Sequence, residues 1–150
     1  MNQAERVRHA VLAMPMAQTL QLAFRRLEAG ESEIEMPVLD AFCFRPGQLQ
    51  ATAVFAIADF AAVSAAGSLL EPGWINATID GTLKLVAPAR GSHLRARGRV
   101  VDASRLLTIC AAEVYAVGDD GQEQLCATLL GTARNIDAAA AKPTTIHAAN

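Results

Sequence analysis

The stretch that decides the fold runs from Gln48 to Leu70 and reads QLQATAVFAIADFAAVSAAGSLL. It is rich in Ala, contains no Pro and has its single Gly near its end, so it predicts a long α-helix. Apolar residues occur nearly all the way round, which indicates a helix buried on most sides. Asp59 is the one charged residue in this run. A buried carboxylate is costly unless it is paired, hydrated or needed for chemistry, so Asp59 is either an acid held by Arg or backbone donors or a catalytic group.

The same run is long enough to cross a bilayer, which is the first alternative to a core helix. Ala contributes little to membrane insertion, however, and an Asp near the centre of a span costs roughly 2.5–3.5 kcal/mol. The rest of the chain alternates as strands do, and such strands need a helix to cover one face. We therefore favour a central core helix and expect no membrane contact.

The composition narrows the class of protein. A length of 150 residues predicts one domain, and 52% hydrophobic against 19% charged residues predicts a globular chain that buries further surface by self-association. A formal net charge of −2 gives no reason to expect a nucleic-acid partner. The three Cys form no CxxC pair, which indicates a reducing cytoplasm, and the three His are scattered, so neither a metal nor a cofactor is expected.

Ahead of the long helix, the pattern predicts a short helix and a hairpin. Residues 3–13 read as an amphipathic helix that Met14-Pro15 ends, which gives an N-terminal helical extension over residues 1–15. Alternating apolar positions on either side of residues 28–31 predict a β-hairpin between residues 19 and 38. Residues 40–47, with Pro46 and Gly47, predict a loop.

After the long helix in the sequence, the pattern predicts about four antiparallel strands. Residues 74–86 alternate with a period of two, which predicts one strand with two distinct faces. Its apolar face would carry Ile75, Ala77, Ile79, Gly81, Leu83 and Leu85, and its polar face Asn76, Thr78, Asp80, Thr82 and Lys84. Further strands are predicted over residues 94–100, 106–117 and 124–133, with Gly118–Gly121 as a hairpin turn. The order predicts an α+β fold in a single domain over residues 1–136, followed by a flexible tail over residues 137–150.

Four segments, taken in order, resemble the PaaI-type hotdog-fold acyl-CoA thioesterases, over about residues 16–134. MPMAQTLQLAFRRLEAGESEIEMPV is similar to the opening segment of that family, and FAIADFAAVSAA to its helix motif. TIDGTLKLVAPARG is similar to its second signature, and LCATLLGTARNI to its last strand. The resemblance implies a hotdog fold, a long central helix wrapped by an antiparallel sheet. It also implies an acyl-CoA substrate and a homodimer joined sheet edge to sheet edge, often paired into a tetramer, with active sites at the subunit interface.

The resemblance also implies roles for individual residues. Asp59 matches the catalytic carboxylate that activates water, and Thr78 matches a Ser or Thr that orients the water. Gln50, Ala51 and Thr52 match a His-Gly-Gly at the helix start, where a backbone N–H holds the thioester oxygen. Arg90 lies in a Pro-Ala-Arg-Gly turn that the family places near the nucleotide.

Several alternatives stay open. The loss of His-Gly-Gly predicts slow turnover, and it equally suits a hotdog protein that binds acyl-CoA or acyl-carrier protein without hydrolysis. A hotdog dehydratase is set aside because it needs a His near the helix. From the sequence alone, the pattern at Thr78 favours an ordinary exposed strand residue over a catalytic one. Arg95, Arg97 and Arg99 form either a phosphate patch or the solvated face of a sheet.

Overall fold

The structure, a computed structural model, describes residues 1–141. Its helices are α1 (Gln3–Leu12), α2 (Pro15–Thr19) and α3 (Ala51–Gly67), and a 3-10 turn covers Asp40–Phe42. Its strands are β1 (Ala23–Glu28), β2 (Glu31–Pro37), β3 (Cys43–Arg45), β4 (Gln48–Leu49), β5 (Trp74–Leu85), β6 (His93–Ala103), β7 (Leu107–Val117) and β8 (Glu123–Asp137). The predicted short helix, hairpin, long helix and later strands are all present.

Two differences from the prediction lie in the connections. Pro15 does not merely end α1: it occupies the first turn of α2, where its missing N–H costs no hydrogen bond. The predicted loop at residues 40–47 contains the 3-10 turn and β3, which pairs with β4. The flexible tail predicted for residues 137–150 falls mostly on residues 142–150, which lie outside the described residues, and the boundary at residue 136 stays a prediction.

Six strands form one antiparallel sheet in the order β1-β2-β6-β7-β8-β5. Helix α3 packs across one face of this sheet and contacts β1, β2, β5, β6, β7 and β8. The predicted α+β architecture, one long helix against an antiparallel sheet, is therefore confirmed. Strands β1 and β5 are the two edges, and β5 is the edge that runs beside the part of α3 that carries Asp59.

Helix α3 is the core of the molecule, as its composition predicts. Eleven of its 17 residues are buried, most of them Ala. Small side chains let the helix lie close to the sheet: a Cβ added at Gly98 in β6 would lie 2.2 Å from the carbonyl oxygen of Ala61. The Ser32 hydroxyl donates to the same carbonyl at 2.7 Å. Among the helices of residues 1–141, none has the length and apolar character that a bilayer span requires.

The predicted uninterrupted alternation along β5 is wrong, because the strand contains a β-bulge. Thr78 pairs with Ala133 and Asp80 pairs with Thr132, so Ile79 has no partner on β8. An extra residue in one strand reverses which side the following residues face. The polar and apolar sets read from the sequence therefore each divide between the two faces of the sheet.

The bulge determines what β5 presents to α3. Before it, Asn76 donates from Nδ2 to the carbonyl oxygen of Val63 at 3.0 Å, so the polar residues of this half face the helix. After it, Gly81 lies against the ring of Phe55, and Leu83 packs on the core. The inner face of β5 is thus polar beside the middle and end of α3 and apolar nearer the start of α3.

The three Arg of β6 lie on the sheet face opposite α3, and each has a carboxylate partner. The partners are Glu35 at 2.7 Å for Arg95, Glu123 at 2.7 Å for Arg97 and Glu113 at 3.5 Å for Arg99. Because these guanidinium charges are already balanced, the structure favours the solvated, ion-paired interpretation of this stripe over a phosphate patch.

Candidate active site

Asp59 extends from α3 towards β5, where one side chain meets it. The Thr78 hydroxyl donates to Asp59 Oδ1 at 2.8 Å. No other hydrogen bond and no basic side chain reaches this carboxylate within the part of the chain that the structure describes. Among the described residues, no Arg therefore pairs with Asp59, as the interpretation of a buried, neutralised acid would require.

The electrostatics of Asp59 follow from this isolation. Burial raises the pKa of Asp59 above that of an ordinary Asp, and the hydrogen bond from Thr78 opposes the rise. A carboxylate with a raised pKa accepts a proton from water more readily than an exposed one does. The site thus has the character of a general base.

A thiol lies close enough to Asp59 to feel its charge but is not suited to act as a nucleophile. Cys110 is fully buried on β7, and burial, followed by the negative charges of Asp59 and Asp80, raises the pKa of its thiol to about 11. The thiol therefore stays protonated at neutral pH, whereas nucleophilic attack requires the thiolate. Cys110 is therefore not a candidate for the reacting group, and Asp59 stays the candidate.

Thr78 reaches Asp59 because of its place in β5. It is the last inward-facing residue before the bulge, and Asn76 precedes it on the same face. Sequence reasoning gave Thr78, through the family resemblance, the role of orienting the attacking water, and it placed Thr78 on the polar face of the strand. It missed Asn76, whose signal was its position two residues before Thr78.

The start of α3, where Gln50, Ala51 and Thr52 lie, leaves backbone N–H groups free at two of these three residues within residues 1–141. Gln50 is the N-cap residue, and its own N–H is occupied because it donates to the carbonyl oxygen of Phe42 at 2.9 Å. Ala51 and Thr52 are exposed, and their N–H groups have no acceptor within residues 1–141. Free N–H groups at a helix start, together with the helix dipole, favour a negatively charged oxygen.

A single chain does not bring the carboxylate and these N–H groups together. Asp59 lies eight residues after Ala51 in α3, which corresponds to about 12 Å along the helix axis. A water activated at Asp59 is therefore too far from the helix start of the same chain to attack a carbonyl held there. The two halves can serve one substrate only if a second copy supplies one of them.

An apolar groove adjoins the helix start. Its volume is about 360 Å³, and its lining includes Phe44, Leu49, Ala51, Val54, Leu85 and Val86. Arg90, the predicted nucleotide contact, lies beside this groove and not beside Asp59: its guanidinium donates to Gln48 Oε1 at 3.1 Å. The next residue, Gly91, has φ of 119°, and a Cβ there would lie 2.3 Å from the Val117 carbonyl oxygen, so this turn requires Gly.

The sequence reasoning also missed Arg45, which contacts the same amide oxygen as Arg90. The signal available for Arg45 was its position in the loop that leads into the helix. Within residues 1–141, no cluster of His, Cys, Asp and Glu is suited to hold a metal ion.

Solved structures with the same architecture come from bacterial proteins, some of which are described as thioesterases. A thioesterase family protein from Silicibacter pomeroyi superposes with a TM-score of 0.87 at 31% identity, covering 91% of this chain and 99% of that chain. A phenylacetic acid degradation-related protein from Ralstonia eutropha gives a TM-score of 0.74 at 27% identity, with coverages of 89% and 99%. The PaaI protein of the E. coli phenylacetic acid degradation operon shares the fold, with a TM-score of 0.77 at 18% identity and coverages of 89% and 94%. No protein-family model and no curated protein matches the chain.

Proposed function

Since this chain belongs to the hotdog-fold thioesterase family, we propose that it hydrolyses acyl-CoA thioesters with Asp59 as the base that activates the attacking water. The observation that carries the proposal is the pairing of Asp59 with Thr78 at 2.8 Å and with no countercharge among the described residues. A base needs an unpaired, partly desolvated carboxylate, and a purely structural acid does not.

The proposed reaction has two steps. Asp59 accepts a proton from water as the water oxygen attacks the thioester carbonyl carbon, and the carbonyl oxygen becomes an oxyanion. The N–H groups of Ala51 and Thr52 hold this oxyanion at the helix start. The C–S bond then breaks, the carbonyl re-forms, and the departing CoA sulfur takes the proton from Asp59. Thr78 fixes the orientation of the carboxylate and positions the water.

The separation between Asp59 and the helix start supports a composite site. We propose that the chain forms a homodimer in which Asp59 of one subunit faces the helix start of the other, with a further pairing into a tetramer. Strand β5 supports this arrangement because it is an edge of the sheet, and its free side has no strand partner within residues 1–141. Ile75, Ile79 and Leu85 on this strand are each more than half exposed in the single chain.

Two further parts of the proposal concern substrate and location. Arg90 lies beside the groove at the helix start, where it can contact the CoA moiety. Cys43, Cys110 and Cys126 are all free thiols, which fits a reducing cytoplasm.

The second candidate is a protein that binds acyl-CoA or acyl-carrier protein without hydrolysing it. The observation that favours it is the helix start, where Gln-Ala-Thr replaces the expected His-Gly-Gly and the Gln50 N–H is already bound to Phe42. A weakened oxyanion site lowers kcat while it leaves affinity for the substrate largely intact.

A CoA-release assay decides between these functions. The native protein is tested on short, medium, long and aryl acyl-CoA, and calorimetry on the Asp59→Asn variant measures the affinity for the same compounds. We expect release of CoA from at least one class. Binding without release from any of them would establish the binding protein instead, and neither binding nor release would contradict both candidates.

A further inference from the structure

We propose that Arg45 and Arg90, held on either side of Gln48, form a clamp for a phosphate group of the substrate's pantetheine-linked carrier. The inference rests on the proposed function, because it assigns the part of the thioester substrate that binds farthest from the reacting carbonyl. It adds Arg45 and Gln48 to the site and gives Arg90 a defined partner.

In this clamp two cations share one neutral acceptor, the side-chain oxygen of Gln48. Arg45 donates to Gln48 Oε1 from Nε at 2.9 Å and from Nη2 at 2.7 Å. Arg90 donates to the same oxygen from Nε at 3.3 Å and from Nη2 at 3.1 Å. Two guanidinium groups are thus fixed next to each other, and each keeps further N–H donors free, because a guanidinium has five.

The charges of this pair are not balanced within residues 1–141. Neither Arg45 nor Arg90 lies within ion-pair distance of a carboxylate there, whereas the Arg residues of β6 are each paired with Glu. Glu123, which lines the depression on the far side of Arg90, is already bound by Arg95 and Arg97. Two adjacent positive charges repel each other, so an anion with several acceptor oxygens is the ligand that would stabilise them.

The position of the clamp connects it to the rest of the site. Gln48 lines the apolar groove that Ala51 and Val54 also line, and Ala51 carries one of the free N–H groups. A phosphate on the Arg pair, an uncharged arm in the groove and a carbonyl at the helix start would follow one another along a single path. The order of charged, apolar and hydrogen-bonding surfaces matches the order of groups in a phosphorylated pantetheine thioester.

Two carriers supply this chemistry, free coenzyme A and the prosthetic group of a carrier protein. Four thioesters with the same acyl group separate the sources: acyl-CoA, acyl-dephospho-CoA, acyl-phosphopantetheine and acyl-pantetheine, which lacks phosphate altogether. The sharpest variant is Gln48→Glu, which preserves the shape of the side chain and places a carboxylate between the two guanidinium groups. Arg45→Gln and Arg90→Gln remove one charge each, and Arg99→Gln removes one exposed charge elsewhere as the matched control.

We expect Gln48→Glu, Arg45→Gln and Arg90→Gln each to raise KM for acyl-CoA by about two- to fivefold, as the loss of one exposed ion pair predicts, while kcat stays unchanged. KM for acyl-pantetheine should not change, and Arg99→Gln should have no effect on either substrate. A loss that includes acyl-phosphopantetheine places the phosphodiester of either carrier on the clamp. A loss confined to acyl-CoA places the 3′-phosphate there, which only free coenzyme A carries.

Equal losses on acyl-CoA and acyl-pantetheine, or equal effects of Arg99→Gln and the clamp variants, would overturn the clamp. If the native protein hydrolyses none of the four thioesters, the proposed function fails on its own. Calorimetric titration of the same variants with coenzyme A then still tests the clamp, because binding of the carrier does not require turnover.

Discussion

Asp59 and Thr78 form the smallest unit on which the proposed chemistry depends. Burial in α3 makes the charged form of Asp59 less favourable, and the Thr78 hydroxyl is the one group within residues 1–141 that compensates it by a hydrogen bond. A second compensating group would lower the pKa of Asp59 and make it a poorer base. The sparse surroundings are therefore the property that makes this carboxylate suited to activate water.

Replacement of Thr78 by Val tests this pair through the pH profile. The hydrogen bond from Thr78 lowers the pKa of Asp59, so its loss should raise that pKa further. Activity requires ionised Asp59, so the acid limb of kcat/KM should move to higher pH, and the plateau should fall by about tenfold or more. Thr78→Ser is the matched control, because it keeps the hydroxyl and should retain both the limb and most of the rate. An unshifted limb in Thr78→Val would show that the hydrogen bond does not tune Asp59.

At this scale the sequence identifies Asp59 but not its surroundings. The sequence alone identifies Asp59 as an isolated charge in an apolar helix. Burial of a carboxylate is costly, so such a residue is a candidate for a special role. The alternation of polar and apolar residues does not show that Asn76 and Thr78 face the helix. A strand without a bulge would have the same alternating sequence, and its polar residues would then all lie on one face. The bulge at Ile79 depends on pairing with β8, which no local pattern encodes.

The first turn of α3 is the element that limits the proposed rate. Restoring His-Gly-Gly by Gln50→His, Ala51→Gly and Thr52→Gly should raise kcat by about tenfold or more, since one oxyanion donor is typically worth about 10²–10³ in rate. KM should change little, because the gain is confined to the transition state. Steady-state kinetics on the best acyl-CoA measure the effect, and Gln50→His alone separates the imidazole from the glycines. Rapid turnover by the native protein would instead show that Gln-Ala-Thr already suffices.

The close approach of α3 to β6 holds Asp59 in place, and Gly98 is the residue that permits it. In Gly98→Ala the new Cβ would meet the Ala61 carbonyl oxygen, so α3 must move away from the sheet. We expect a loss of about 1–3 kcal/mol in the free energy of unfolding in urea. Gly81→Ala is the control, because its Cβ would meet the tip of the Phe55 ring at 3.2 Å, and a side chain moves more easily than a helix backbone. Equal stability of the two variants would contradict the role given to Gly98.

For the elements, periodicity and composition predict much of the fold. The Ala-rich run predicts α3 because its length and lack of Pro leave few other structures, and Gly118–Gly121 predicts the β7–β8 turn. The sequence did not predict helix α2. A Pro can end one helix or occupy the first turn of the next, and Pro15 alone does not show which of these applies.

In a single chain, Asp59 and the start of α3 are too far apart to act on one carbonyl. This separation leads to a prediction about assembly. A mass of at least two chains is expected by light scattering at micromolar concentration. In Ala51→Pro the first free N–H of α3 is lost at a position that tolerates Pro, because Gln50 before it has extended backbone with φ of −66° and ψ of 146°. Coexpression of Ala51→Pro with Asp59→Asn should restore activity at about one quarter of the sites if dimers form at random.

Two results would contradict the composite site. A strictly monomeric mass would remove the second subunit, and a coexpressed pair no more active than either variant alone would show that Asp59 and the helix start do not cooperate across an interface. The sequence could not resolve this point without the family resemblance, because the distance between Asp59 and Ala51 matters only once both are assigned to one reaction.

The most direct test of the central claim is the rate of CoA release by Asp59→Asn relative to the native protein on the best acyl-CoA. Asn keeps the size of the side chain and its contact with Thr78 but cannot accept the proton from water. The variant should fold with a melting temperature at pH 7 no lower than that of the native protein, because burial of the charged Asp59 opposes folding above its raised pKa. We predict that CoA release falls to background while the oligomer and the affinity for acyl-CoA persist. A rate close to that of the native protein would remove Asp59 from the mechanism.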